Sequence, residues 1–366
     1  MRGVILSGVL AVASMAAMAA MAETEPLTVL QVLDLSGQNG DTGKDFVAGA
    51  KVYFDYINSR GGINGRKIRH VLADDQGQPQ HTLKLTRQAL QDEKPVALFG
   101  YLGADNLAAV LADPQLRQRG LPMVGPYSGM AGRQWPNLFP VKAAYADEVR
   151  KILHMTSSLG INRIGVFYGN DTLGKAASSS VEHVLASKRL PAAVRVAYFP
   201  NRNIALAAQT MAQQQPQAVI LAAPTMASAQ FVRECQQLLP GTQFFALSSV
   251  NHQTLLEFLG PKQAQGIAVT ALTPSPYNPV TPIARDYVKH WQQFRDEAVS
   301  YASIDGYISA RALIEGLKLG SKGGSYQAAF ANMKPLELGG YQVNFNAGSS
   351  NFVDVLVFSQ QGRLMN

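Results

Sequence analysis

The chain has 366 residues, 47% of them hydrophobic, and a formal net charge of +7. This length exceeds one ordinary compact domain and allows two cores, so we expect two lobes. The lysines and arginines are spread thinly, with no block of five or six. This pattern argues against a nucleic-acid binder and favours a role of the charge in solubility. The one cysteine, Cys235, leaves no partner for an internal disulfide.

Residues 1–22 have the pattern of a secretory signal. Arg2 supplies the positive charge, Val4 to Val12 form an apolar core, and Ala20-Met21-Ala22 fits a small-x-small cleavage site. We expect the mature protein to start at Glu23 and, with no cysteine at that site, not to be a lipoprotein. No later stretch reaches eighteen uninterrupted apolar residues, so we expect an exported, soluble protein.

The mature chain opens with a strand, a loop and a helix. The apolar run Leu27 to Leu33 predicts the first strand, and a polar, glycine-rich loop follows it through 35–43. Apolar residues then recur at spacings of three and four from Val47 to Ile57, which predicts an amphipathic helix. This order is the start of an α/β unit.

A glycine-rich turn ends that helix. Gly61 and Gly62 reach the left-handed conformation that a helix C-terminus needs, and Asn64-Gly65 predicts a tight turn into a short strand. The strand ends at Asp74 and Asp75, whose side chains point to opposite faces. We therefore expect a turn and a cap there and not a pair for acid/base chemistry.

The α/β rhythm continues to the end of the chain. Further helices are predicted at 80–91, 143–159, 174 onward, 204–211, 227–239, 282–296 and 301–320, and further strands at 96–99, 121–124, 138–141, 163–168, 194–199, 218–221, 243–247, 341–345 and 353–358. A proline-rich passage, 273–279, separates the last helices from the preceding strands. We expect an α/β protein with two lobes.

The segment Gly169 to Ala176 fits the phosphate-loop pattern of nucleotide-binding proteins except at its last position. That position requires a metal-binding hydroxyl, which Ala176 lacks, so we predict an ordinary strand-to-helix loop. The sequence has no G-x-S-x-G or S-x-x-K motif, and its six histidines show no metal-ligand spacing. We predict no enzymatic activity, no metal and no cofactor, with a hydrolase as a remote alternative.

The loops after strands are the expected place for a ligand. In an open α/β sheet, ligands lie beyond the carboxyl ends of the strands, where helix N-termini deliver free amides. Tyr101, Tyr127 and Tyr145 fall just past three strand ends, and tyrosine suits a partly wet pocket. For each ring, the alternative is that it covers the core of its own lobe.

Four sequence words, LSGQNGDTG, GGINGRKI, DDQGQP and GYQVNFNAG…GRL, resemble the periplasmic solute-binding proteins of the leucine/isoleucine/valine-binding type. The resemblance covers essentially the whole mature chain. It implies a type I periplasmic binding fold of two Rossmann-like lobes, with hinge crossings near Lys142, Pro274 and Leu336. The first lobe would comprise 23–142 and 274–336, and the second 143–273 and 337–366.

The resemblance also implies a function, since such proteins capture a solute in the periplasm. A ligand that contacts both lobes stabilises the closed state, and the closed surface is then recognised by a membrane partner. The leading expectation for that partner is the permease of an ABC transporter. The alternative is a membrane sensor, to which the protein would report its ligand.

Relatives that bind amino acids hold the carboxylate with hydroxyls and amides of the first lobe, and the ammonium with an acid of the second. Here Ala104 and Gly129 replace two expected hydroxyls, Ser128 is kept, and Ser249 stands at the acidic position. A buried ammonium without a counter-charge is costly. The resemblance therefore predicts the family's clamp but a different ligand, such as a small amide, aromatic or carboxylate compound.

Eleven residues are expected to contact the ligand, all from loops or helix starts on the cleft side. They are Thr42, Tyr101, Leu102, Tyr127, Ser128, Tyr145, Thr172, Thr225, Ser249, Asn251 and His252. Lys142 and Arg133 are further candidates to assist an anion, with a solvated position as the alternative for both.

Overall fold

The computed structural model describes residues 24–130 and 135–365. The expected signal segment and Arg133 lie outside these ranges. The strands are β1 Leu27–Leu33, β2 Ile68–Asp74, β3 Ala97–Phe99, β4 Met123–Val124, β5 Leu138–Phe139, β6 Ile164–Gly169, β7 Val194–Tyr198, β8 Ala218–Ala222, β9 Gln243–Ala246, β10 Ala268–Ala271, β11 Leu336–Glu337, β12 Gln342–Val343, β13 Asp354–Phe358 and β14 Leu364–Met365.

The helices alternate with these strands. They are α1 Gly40–Ser59, α2 Pro79–Asp92, α3 Ala104–Ala112, α4 Pro114–Arg119, α5 Tyr145–Ser158, α6 Thr172–Ser187, α7 Ile204–Gln213, α8 Thr225–Leu238, α9 His252–Ala264, α10 Pro282–Phe294, α11 Tyr301–Gly320 and α12 Tyr326–Ala331. Among the residues described, no helix is both long enough and apolar enough to cross a membrane.

Two main sheets form the two lobes. The first has the order β2-β1-β3-β4-β5 and is parallel throughout, whereas the second has the order β14-β13-β10-β9-β8-β6-β7. In the second sheet, β13 runs antiparallel to β10 and β14 runs antiparallel to β13. Helices cover both faces of each sheet, which is why β1 and β8 are buried along their whole length. The predicted α/β fold with two lobes is confirmed.

The first lobe is completed by helices that come late in the chain. Helix α11 packs against α1 and buries Ile304, Tyr307 and Ile308 in the same core as β1. The two helix backbones approach so closely that a Cβ on Gly49 would lie 1.7 Å from the carbonyl oxygen of Ser303. A Cβ on Gly306 would likewise lie 2.0 Å from the oxygen of Phe46. Helix α11 therefore belongs to the first lobe, although it follows strands of the second sheet in the chain.

The turn after α1 has the geometry predicted from its sequence. Ile63 and Arg66 exchange both backbone hydrogen bonds, at 2.8 and 3.0 Å, around Asn64 and Gly65. The φ angles of those two residues are 51° and 80°, the left-handed values of a type I′ turn. The turn precedes β2, so it lies at the edge of the sheet opposite the loops that follow the strands.

The chain passes between the lobes three times. The first passage follows β5 and leads into α5, and the second follows β10 and leads into α10. The third was expected near Leu336, but Leu338, Tyr341 and Val343 are buried in the core of the first lobe. Among the described strands, β11 and β12 pair only with each other. Phe345 and Phe352 also pack against that core, so we propose that the third passage lies between Phe352 and the start of β13.

Candidate ligand-binding cleft

A cleft of about 390 Å³ lies between the carboxyl ends of the two sheets. Its walls come from the loops after β1, β3 and β4 in the first lobe and from those after β8, β9 and β10 in the second. The lining residues are Asn39, Asp41, Thr42, Asp45, Leu102, Gly103, Tyr127, Lys142, Tyr145, Leu173, Thr225, Ser248, Ser249, Val250, Asn251, His252, Gln253, Thr254, Glu257, Val269, Thr270, Ala271, Leu272, Thr273, Ser300, Tyr301, Ala302, Asp305, Leu356 and Leu364.

Two carboxylates, the buried Asp34 and the partly exposed Asp74, hold the first wall of the cleft in shape. Asp34 is fully buried and accepts hydrogen bonds from the backbone of Gly37 at 2.5 Å and Asn39 at 2.9 Å. Asp74 accepts from the backbone of Leu35 at 2.9 Å and from the hydroxyl of Ser36 at 2.5 Å. These bonds fix the loop that leads into α1, so the start of that helix has a defined position in the cleft.

Two helices of the first lobe present uncapped N-termini at the cleft. The N-cap residues are Asn39 for α1 and Gly103 for α3, and neither side chain caps its helix. In contrast, side chains of Asp171, Asn251 and Ser300 cap α6, α9 and α11. Free amides at a helix N-terminus, together with the helix dipole, favour an anionic or strongly polar oxygen. The first wall is thus able to receive such an atom.

The cleft floor, as we call the group Tyr127, Lys142 and Asp305, carries a buried ion pair. The Nζ of Lys142 lies 3.0 Å from Asp305 Oδ2 and 3.1 Å from the centre of the Tyr127 ring. Burial is the largest single influence and works to lower the pKa of Lys142, but Asp305, Tyr127 and Glu148 together act in the opposite direction and the net pKa is raised. Lys142 is therefore charged, and its ammonium has more donors than Asp305 uses.

A buried acid supports the second wall from behind. Glu148 on α5 is fully buried and accepts from the backbone N–H of Ser248 at 2.8 Å and from its hydroxyl at 2.9 Å. It also accepts from the hydroxyl of Thr270 on β10. Burial raises the pKa of Glu148, while these hydrogen bonds act in the opposite direction. Because its oxygens are used in this way, Glu148 holds the loop after β9 and does not line the cleft.

The second wall offers neutral polar groups. Asn251 caps α9 through its side chain, and its own N–H donates to Thr225 Oγ1 at 3.0 Å. The Oγ of Ser249 is buried without a hydrogen bond of standard geometry, although the Tyr145 hydroxyl lies beside it. Burial lowers the pKa of His252 to about 4, so this imidazole is neutral at neutral pH. Ser249 and His252 both line the cleft.

Eight of the eleven predicted contact residues come together in this cleft. They are Thr42, Leu102, Tyr127, Tyr145, Thr225, Ser249, Asn251 and His252. Tyr127 and Tyr145 are therefore placed to contact a ligand as well as to pack. His252 was expected on a loop and is instead the first residue of α9, where the helix start still faces the cleft.

The other three predicted residues do not line the cleft. Tyr101 is fully buried, and its hydroxyl lies 2.8 Å from Thr86 Oγ1 within the core of the first lobe. Ser128 is also buried and accepts from the backbone of Met130 at 3.4 Å. Thr172 is exposed at the start of α6. For Tyr101, the alternative position, covering the core of its lobe, is the one observed.

Sequence reasoning missed Asp305, Glu148 and Tyr301. Asp305 lies inside α11, far along the chain from its partner Lys142, so no local pattern connects the two. The Tyr301 ring packs edge-on against His252, with ring centres 5.3 Å apart. One signal was available, because Ser300 followed by a helical run is the pattern of a helix start. Because this helix start lies on the cleft side, Tyr301 could have been named as a candidate ligand contact.

In the segment 169–176, which nearly fits the phosphate-loop pattern, the side chain of Asp171 bonds to the loop backbone. Asp171 accepts from the backbone N–H of Gly174 at 2.7 Å, so a carboxylate occupies the position that a phosphate would take. Across residues 24–130 and 135–365, no group of three or more His, Cys, Asp or Glu is placed to hold a metal ion.

A cleft between two α/β lobes, walled by loops from both and crossed three times by the chain, is the architecture of a protein that clamps a small ligand. Comparison with known proteins gives the family. The chain belongs to the periplasmic binding protein family, whose model matches residues 26–342. The predicted resemblance is confirmed.

Solved structures share the fold over most of the chain. A substrate-binding periplasmic protein from Ralstonia solanacearum is 30% identical, with a TM-score of 0.83 over 93% of this chain and 99% of its own. The branched-chain amino acid transporter substrate-binding protein LivJ from Streptococcus pneumoniae, solved with isoleucine, is 16% identical. Its TM-score is 0.79 over 93% of this chain and 98% of its own, which is a likeness of fold.

A curated relative matches over a shorter segment. An amino acid binding protein from Pseudomonas aeruginosa is 29% identical over 101 residues. The matched segment spans 24% of this chain and 27% of that relative's length.

Proposed function

We propose that this protein captures a small organic solute in the periplasm and presents it to the permease of an ABC transporter. The observation that carries the proposal is the composition of the cleft, whose lining comes from both lobes and from the cleft floor between them. A volume of about 390 Å³ lies at the small end of the range for small-molecule sites. Only a closed arrangement lets one ligand contact both walls, so binding favours closure.

The first wall and the cleft floor favour a ligand that carries oxygen acceptors. The uncapped starts of α1 and α3 supply free amides, and the Lys142 ammonium supplies further donors. Tyr127, Tyr145 and Tyr301 supply flat apolar surface. These groups together suit a small carboxylate or amide with an apolar or aromatic part.

The second wall argues against an ordinary amino acid as the preferred ligand. A ligand ammonium on that side would need a free carboxylate, and Glu148 is already occupied by Ser248 and Thr270. The other acid that lines this wall, Glu257, is exposed to solvent. Ser249 offers a neutral hydroxyl where relatives that bind amino acids have an acid.

A thermal-shift screen of the purified protein tests the ligand class. The set should pair each acid with its amide and its amino acid, for example benzoate, benzamide and phenylalanine, and should include leucine and isoleucine. A ligand that binds only the folded state raises the melting temperature, by an amount that grows with its concentration over Kd. We expect a hit among the carboxylates or amides. A clear preference for leucine or isoleucine would overturn the proposed class.

Uptake measurements test the transport role. Cells that lack this protein should lose high-affinity uptake of the compound found by the screen, and the wild-type chain should restore it. If uptake is unchanged in these cells, the protein does not serve a transporter of that compound.

A further inference from the structure

One side chain connects all three passages between the lobes. Tyr341 lies just before β12, at the end of the last first-lobe segment, and is 1% exposed. Its hydroxyl lies 3.2 Å from the carbonyl oxygen of Val141, on the first passage, and 3.1 Å from that of Leu272, at the start of the second. Its ring contacts Phe352, directly before the third passage, with ring centres 5.6 Å apart.

The two carbonyls that share this hydroxyl belong to different lobes. Val141 lies two residues after the end of β5, and Leu272 directly follows β10. These strands belong to different sheets, so the two carbonyl oxygens move with different lobes. A hydroxyl has one proton, which it can donate fully to only one oxygen at a time. At 3.1 and 3.2 Å the two acceptors are equally placed to receive it. A change in the angle between the lobes would favour one bond over the other.

The hydroxyl keeps its proton under all ordinary conditions. Burial raises the pKa of Tyr341 far above its usual value, and the nearby Asp305 carboxylate acts in the same direction. The same Asp305 holds Lys142, the residue that follows Val141 on the first passage. The hinge contact and the cleft floor are thus adjacent along the chain.

We propose that Tyr341 is the positioning residue of the hinge: its hydroxyl, shared between Val141 and Leu272, sets the angle between the two lobes. It acts on ligand binding through the width of the cleft and does not touch the ligand. Without the hydroxyl, the ring still fills its place in the core, but the two passages lose their common partner. The lobes then sample a wider range of angles in the absence of ligand.

The test compares Tyr341→Phe with Tyr287→Phe by small-angle scattering of the ligand-free proteins. Tyr287 is a matched control because it is also fully buried, and its hydroxyl lies 2.6 Å from Ser303 Oγ within the first lobe. Tyr341→Phe is expected to broaden the interatomic distance distribution and increase the radius of gyration. Tyr287→Phe is expected to leave both unchanged. The measurement needs no ligand, so it can fail or succeed independently of the proposed function.

A second variant keeps the proposal testable if Tyr341→Phe folds poorly. Replacing Tyr341 with 4-aminophenylalanine provides two N–H donors at the same place, enough to bond both carbonyls at once. Its distance distribution should be at least as narrow as that of the wild type. Scattering curves for Tyr341→Phe that match the wild type would overturn the proposal. So would an equal change in Tyr287→Phe, or a 4-aminophenylalanine variant that is as broad as the phenylalanine variant.

Discussion

At the scale of single residues, variants of the ion pair in the cleft floor should affect stability and ligand affinity differently. Removing one partner of a buried pair leaves an uncompensated charge and costs about 3–5 kcal/mol, whereas removing both is much less costly. Lys142→Met should therefore lower the free energy of unfolding in urea by about that amount. Adding Asp305→Asn should restore most of this stability, since a neutral amide then replaces the unpaired carboxylate.

Ligand affinity should not recover in that double variant. The Lys142 donors are lost in both variants, and a hydrogen bond to a charged group contributes about 1.5–3 kcal/mol, or more than tenfold in Kd. Titration calorimetry with the compound found by the screen measures this. A double variant that is stable and binds with wild-type affinity would remove Lys142 from the site.

Tyr127 is expected to contribute through its ring. The ring faces the cleft and lies against the Lys142 ammonium and the edge of Phe46. Tyr127→Ala should weaken binding by roughly tenfold or more, as truncation of a buried aromatic contact commonly does. Tyr127→Phe, which keeps the ring, should bind within about threefold of the wild type by the same reasoning. Titration calorimetry on both variants measures the ligand affinity. An unchanged affinity in Tyr127→Ala would exclude Tyr127 as a ligand contact.

His70 gives the first lobe a pH-dependent stability. Gln31 donates its amide N–H to the carbonyl of Gly100, so its Oε1 accepts from His70 Nε2, at 2.8 Å. The other ring nitrogen, Nδ1, then has no proton, and it is buried without a hydrogen-bond partner among the residues described. Burial, followed by the charge of Lys51, lowers the pKa of His70 to about 4.

The unfolded chain therefore binds a proton more readily at this position. With a folded pKa of about 4 and an unfolded value near 6.5, the free energy of unfolding falls as pH drops from about 6.5 toward 4. The full effect is roughly 3–3.5 kcal/mol. Urea unfolding of wild type and His70→Gln across this window should show a shallower decline in the variant. Parallel curves would mean that His70 does not titrate in this way.

At the scale of elements, local chemistry was readable from sequence and distant pairing was not. The turn at Asn64 and Gly65 was predicted because φ angles above zero select those residues, and the structure has them at 51° and 80°. Strand β10 was missed, since four residues between Gly266 and Thr273 carry a short apolar signal. Helix α9 was missed because Gly260 and Pro261 interrupt its pattern.

In the cleft too, the positions of the loops could be predicted from the sequence, but the directions of their side chains could not. The loops after strands line the cleft because the topology of an α/β sheet places them at one edge, and eight of the predicted residues are among the lining. Tyr101 and Tyr127 have similar sequence contexts, yet one faces the core and the other the cleft. The direction of a loop side chain depends on packing partners such as Thr86, which lies on a different element.

The loop after β9 depends on an acid from another element. Glu148 holds Ser248 through both backbone and side chain, so Glu148→Gln replaces two charge-assisted hydrogen bonds with weaker neutral ones. We expect faster amide exchange over residues 247–251 and weaker ligand binding. Glu182→Gln is the control, because Glu182 accepts from Ala193 N at 3.2 Å away from the cleft. If loop exchange is equal in the two variants, Glu148 does not position this loop.

At the scale of the whole molecule, the proposed function makes binding and closure one equilibrium. Each wall of the cleft holds part of the contacts, and the walls belong to different sheets. A ligand that contacts both walls has a higher affinity for the closed state, and it shifts the equilibrium by that difference in affinity. A ligand that contacts one wall alone would bind without closing the lobes.

Small-angle scattering with and without the compound found by the screen measures this coupling. For a two-lobe chain of this length, the radius of gyration is roughly 20 Å or more, and saturating ligand should reduce it. Lys142→Met/Asp305→Asn, which weakens contacts at the floor, should require more ligand for the same compaction. Compaction should follow the same titration curve as calorimetric binding. Saturated binding with no change in the scattering curve would mean that the ligand occupies a single lobe, and closure would not be part of the mechanism.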